Sequence, residues 1–136
     1  MTELINPPEL PRAVGFSHAA VAGPGRLVFV AGQIGEGPDG AVPDGIAEQM
    51  DRTCANVVTA LRAAGAEPEH TVWMQIFTTD VRAYREASSE IGDAYRRHFG
   101  RHYPAMALVE VSGLFEPAAL VEMTVVAIVP ETEGER

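Results

Sequence analysis

Val121-Glu122-Met123-Thr124-Val125-Val126-Ala127 is the core of an extended run from Ala119 to Val129, and its two faces decide the fold. Side chains alternate across a strand, so Ala119, Val121, Met123, Val125, Ala127 and Val129 share one face, while Leu120, Val126 and Ile128 lie on the other. Both faces are largely apolar, and a strand of that kind is buried on both sides. The run Arg26 to Gly32 repeats the pattern, with Leu27, Phe29 and Ala31 opposite Val28, Val30 and Gly32. Only two segments have helical spacing. Ile46, Met50, Cys54, Val57, Val58 and Leu61 mark the first, and Tyr84, Ala87, Ser88, Ile91, Tyr95 and Phe99 the second. Two helices cover one face of a sheet. The other face is expected to pack against another copy of the chain, because an exposed apolar sheet of several hundred Å² would aggregate.

Outward from these segments the order reads strand, strand, helix, strand, helix, strand, strand. Val14 to Val21, the turn Gly23-Pro24-Gly25 and Arg26 to Gly32 suggest a hairpin. The Gly- and Pro-rich stretch from Gly35 to Gly45 reads as a loop with Asp44 as N-cap of the first helix, which Gly65 terminates. Val72 to Thr78 is expected to be a strand, the second helix to end at Gly100, and Ala105 to Val111 to be the strand before the last.

A chain of 136 residues fits one domain, here residues 1–130, and can bury roughly two-thirds of its unfolded surface. The acidic remainder, 131–136, is expected to be flexible. Cys54 is the sole cysteine, so no internal disulfide forms, and the first residues have neither the basic start nor the apolar run of a signal peptide; a cytoplasmic protein is expected. No apolar run approaches the ~20 residues that span a bilayer. All ten basic residues are arginine, and without lysine neither Schiff-base chemistry nor pyridoxal-phosphate attachment is available. Nineteen acidic residues against ten basic ones, a net charge of −9, argue against nucleic acid as partner. His18, His70, His98 and His102 have no ligand spacing with a cysteine or carboxylate cluster, and the glycines between Gly32 and Gly45 lack a phosphate-loop ending, so neither metal nor cofactor is expected.

Tyr103-Pro104-Ala105-Met106-Ala107-Leu108-Val109 together with Val121 to Ala127 resembles the C-terminal signature of the RidA/YjgF family of reactive-intermediate deaminases. The likeness extends over Val14-Gly15-Phe16-Ser17-His18-Ala19, Phe29-Val30-Ala31-Gly32-Gln33-Ile34 and Phe77-Thr78-Thr79-Asp80. It implies an α+β, chorismate mutase-like fold, a homotrimer whose sheets face one another in a barrel, and small-molecule clefts between subunits. It also implies roles for particular residues. Gly32 is where the family's backbone approaches the ligand, Glu122 matches the glutamate that positions or activates water, and the main-chain N–H groups near Ala107 and Leu108 face the cleft. Elsewhere the chain departs from the pattern. Phe16 stands for the family's tyrosine, Ala31 for its serine, Gly92 for its asparagine, and Met106 for the arginine that grips the substrate carboxylate.

A thioether supplies neither the charge nor the paired donors of a guanidinium, so a 2-imino acid loses its anchor at Met106. Arg82, Arg85, Arg97 and Arg101 are candidate substitutes, none with a spacing argument, and the cleft is expected to accept a less charged, more apolar ligand. Glu110 shares a strand face with Met106 and Leu108; it either joins the cleft as a second carboxylate or sits at an exposed strand end. His18 reads as a structural histidine or a pocket base, Cys54 as an inert thiol on a helix's apolar face, and Trp73 as core or interface. Two function classes follow: hydrolysis of an imine, enamine or related small metabolite with Glu122 and water, or non-catalytic binding of a small metabolite or partner protein.

Overall fold

The computed structural model describes residues 2–131. Its elements run β1 (Thr2–Ile5), β2 (Ala19–Ala22), β3 (Gly25–Ile34), α1 (Ile46–Ala63), a 3-10 turn (Pro68–His70), β4 (Thr71–Thr78), α2 (Val81–Glu86), α3 (Ser88–Phe99), β5 (Ala105–Glu110) and β6 (Val121–Pro130). The main sheet has the order β3-β6-β4-β5, with β5 parallel to β4 and the other pairs antiparallel. Of the acidic tail expected over 131–136, all but Glu131 lies outside the described residues.

Helix α1 forms where the spacing places it. Ile46, Met50, Cys54, Val57, Val58 and Leu61 are all buried, and the helix packs on β3 and β6 with α3 beside it. Val30, Met74, Ile76, Val121, Met123, Val125 and Ala127 meet these helices from the sheet, and Ile91, Tyr95 and Phe99 of α3 complete the same core. Gln49, itself buried, ties the helix to its surroundings: its side-chain amide donates to the Pro43 and Ala118 carbonyls, and its oxygen accepts from the Leu120 N–H. Gly65 closes α1 at a φ of 83° and Gly100 closes α3 at 64°, the left-handed geometry in which glycine is least strained.

Three expectations need correction. The hairpin between β2 and β3 does not form: β2 pairs with β1, Leu4 opposite Ala20, while β3 lies against the ten-residue β6, which offers a far longer ladder. The four-residue β1 that replaces it was too short to leave a periodic pattern. Gly45, not Asp44, is the N-cap of α1, without a side-chain bond, because Gln49 anchors the preceding turn through Pro43. The second helix is divided at Ala87 into α2 and α3; Asp80 caps α2 by accepting from the Ala83 N–H.

Candidate functional site

The strand register sorts the expected site residues onto two faces. Met106 is opposite Met74, and Leu108 opposite Ile76, so both side chains belong to the helix-covered face. Glu122 is opposite Phe77 and Ile34, on the open face. Within one subunit the methionine and the glutamate therefore cannot meet.

On the covered side, a cavity of about 990 Å³ opens between the sheet, the two C-terminal helices and the segment before β2. Phe16, Gly92, Met106 and Leu108 line it, four of the residues expected from sequence. Its wall is held by a compact set of bonds. Ser17 donates its hydroxyl to the Tyr103 carbonyl at 2.7 Å and its N–H to Pro104 at 3.0 Å, which bridges the Phe16 segment to the outer side of β5 at Ala105. Tyr95 stacks between Phe99 and Tyr103, at ring separations of 5.0 and 5.5 Å, and gives its hydroxyl proton to the His102 carbonyl. Burial pushes the Tyr84 phenol in the cavity up to about 12, so it stays a neutral donor at physiological pH. Beyond the Ala105 bridge the described residues place no strand against β5, which is the edge of the sheet; Ala107 occupies this edge, and its carbonyl accepts from the Gln75 amide at 3.0 Å.

On the open side, a bulge between Val30 and Gln33 takes Ala31 and Gly32 out of the ladder with β6. Thr124 donates its hydroxyl to the Val30 carbonyl at 2.6 Å, fixing the strand where pairing stops. The Glu122 carboxylate rests against Gly32: a Cβ there would stand 2.6 Å from Oε2, closer than atoms pack, so only glycine leaves room for it. Ala31, Gly32 and Glu122 thus form a second cluster. Among the described residues Glu122 has no hydrogen-bond or ion-pair partner, and it is half-buried on an apolar strand.

Other expectations resolve locally. Glu110 is a helix cap in this geometry, because its carboxylate accepts from the Val81 N–H at 2.9 Å at the start of α2; it sits exposed at the end of β5. His18 donates its Nε2–H to the Pro11 carbonyl at 2.7 Å and lies edge-on to Phe16, holding the loop that walls the cavity. His98 and Arg97 both bind Asp51, joining α3 to α1, and Arg82 pairs with Glu86. Burial places the Cys54 thiol at about 12, an inert neutral group. Trp73 lies on the open face. Among the described residues no group of three or more His, Cys, Asp or Glu side chains could hold a metal ion, and no helix is long and apolar enough to cross a membrane. Sequence reading missed Tyr84, Tyr95, Tyr103, Arg12 and Arg96 around the cavity; Arg96, one turn beyond Gly92 on α3, was the one with a usable spacing signal.

Comparison with known proteins places this geometry. The family described as Endoribonuclease L-PSP matches residues 8–129. A RutC family protein of Pyrococcus abyssi is 32% identical over 128 residues, 92% of this chain and 95% of that one. The Rid-family protein YyfB of Yersinia pestis superposes with a TM-score of 0.84 at 26% identity, over 94% of this chain and 98% of that one. The structure of E. coli TdcF with bound serine gives 0.68 at 26% identity, over 94% and 99%. The α+β, chorismate mutase-like fold implied by the signature is therefore the fold of this chain, which belongs to the Endoribonuclease L-PSP family, the RidA/YjgF proteins.

Proposed function

We propose that the protein is a cytoplasmic homotrimer that hydrolyses an imine, an enamine or a related small metabolite in clefts between subunits. Glu122 carries the reading. A half-buried carboxylate without a partner among the described residues, on a strand whose other side chains are apolar except Thr124, costs free energy unless a ligand or water meets it. The open face supports the assembly. Leu27, Phe29, Trp73 and Val109 all lie there with 40 to 73% of their surface exposed, apolar surface that a neighbouring subunit would cover. Such packing brings the Glu122 cluster of one subunit toward the cavity and β5 edge of the next, completing a site that neither subunit holds alone.

In that cleft the Glu122 carboxylate accepts a proton from water as the water oxygen adds to the C=N carbon. The proton passes to nitrogen to give a carbinolamine. When the C–N bond breaks, the second water proton also ends on nitrogen; ammonia leaves and a carbonyl remains. Main-chain N–H groups along the β5 edge near Ala107 and Leu108 stabilise charge on the oxygen. Met106 makes typical 2-imino acids poor substrates, since it offers no partner to a carboxylate beside the reacting carbon. The family's description includes ribonuclease activity, and a net charge of −9 disfavours RNA as the ligand here. Phe16, Gly92 and Met106 in the cavity wall also favour a second reading, a trimer that binds a small metabolite without chemistry.

A panel of imines generated from several amino acids separates the two. Hydrolysis accelerated by the protein and lost in Glu122→Gln supports catalysis, whereas binding without acceleration supports the second reading. With 2-iminobutanoate the natural protein should be weak and Met106→Arg faster. Processing of 2-imino acids as efficient as that of arginine-bearing relatives would overturn the substrate argument.

A further inference from the structure

The charges around the cavity run against those of the whole chain. Acidic residues outnumber basic ones 19 to 10, yet every charged residue lining the cavity is an arginine: Arg12, Arg96 and Arg101. From these observations, and resting on the reading of this cavity as the ligand site, we infer that its mouth binds the anionic group, carboxylate or phosphate, of a ligand whose apolar body fills the interior. The interior supplies the matching surface through Phe16, Ile91, Met106 and Leu108, within a volume typical of small-molecule sites.

Arg96 is the best defined of the three. Its Nη2 donates to Asp93 at 2.7 Å, and its guanidinium lies over Gly92, with Nη1 3.3 Å from where a Cβ would stand. A guanidinium carries five N–H donors in a planar fork; the Asp93 bond orients it and leaves donors for a ligand. Arg12 and Arg101 are exposed, and among the described residues neither forms an ion pair. Without such a local cluster, a chain of net charge −9 repels anions from its surface. The arginines stand at the exposed mouth, and Met106 packs against the core. The ligand's charge is therefore bound apart from the apolar floor, which describes an imine or enamine with a remote anionic group and excludes a short 2-imino acid.

Titration calorimetry on the assembled protein tests this with 4-phenylbutanoate, 4-phenylbutyl phosphate and the neutral 4-phenylbutanamide. At least one anion should bind about tenfold more tightly than the amide, and the tighter of the two identifies the headgroup. Arg96→Gln combined with Arg101→Gln should bring anion and amide to similar affinity while leaving thermal stability and assembly unchanged, and Arg12→Gln alone should narrow the gap. Glu122→Gln should preserve the preference, so loss of hydrolysis with retained anion binding leaves this inference standing. Equal affinity for anion and amide, no binding by any of the three, or a preference unaltered in the double variant would overturn it.

Discussion

The two faces of the main sheet are built from similar side chains and covered differently. On β4, Met74 and Ile76 point to the helices and are 0 and 2% exposed; Trp73, their neighbour on the other face, is 40% exposed. On β3, Val30 is 5% exposed and Phe29 73%. One face is the interior of a subunit. The other has the composition of an interior and no cover, and it carries Glu122, the single carboxylate among the β6 residues of that face. Similar side chains are thus buried on one face and exposed on the other, and the proposed assembly and the proposed site both rest on that difference.

The largest expected effect comes from placing a charge on the open face. Phe29→Asp should leave the circular dichroism of the fold intact and abolish assembly, because desolvating an unpaired carboxylate in an apolar interface costs several kcal/mol. Unchanged mass would show that this face is not the contact. Next is the paired truncation of neighbours. Met74→Ala empties a wholly buried position and should lower stability by about 2–5 kcal/mol, read by denaturant unfolding. Trp73→Ala, one residue away, should weaken assembly and shift the unfolding of the dissociated subunit far less. Equal effects in both would erase the distinction between the faces.

Glu122→Gln should keep oligomeric state and melting temperature and remove hydrolysis, since shape persists and only charge and basicity are lost. A dissociated trimer with ligand binding intact would instead make the residue an interface group. The smallest effect is at Asp51, which links α1 to α3. Burial raises its pKa, but hydrogen bonds from His98 and Arg97 outweigh burial and hold it below the ordinary carboxylate value. A lowered folded-state pKa means stability that is fully present above the unfolded value near 4 and is lost as pH falls through the folded one. Asp51→Asn should cost about 0.5–1 kcal/mol at neutral pH and progressively less as pH falls below the unfolded value, measured by thermal melts.

Long periodic segments were legible because their physics is local to the sequence. The alternation of β6 and the spacing of α1 predicted which side chains are buried, and the excess of two-sided strands over helices exposed the open face. Features that depend on a distant partner were not legible. β1 spans four residues and gains its identity only from pairing with β2, and β3 chose β6 over its sequence neighbour. For Glu110, parity gave the correct strand face but not the bond to Val81, which depends on where α2 begins. The cavity combines residues from the N-terminal segment, α3 and β5, so its aromatic and arginine lining left no motif; Gly92 and Met106 were found through family likeness alone.

Met106 and Glu122 occupy opposite faces of one sheet, so the proposed site needs neighbouring subunits to complete it. Multi-angle light scattering on the natural protein, at micromolar concentration, tests it most directly. The expected mass is three times that of the 14.5 kDa chain. A stable species of single-chain mass would contradict it, because no cleft containing both residues could then exist.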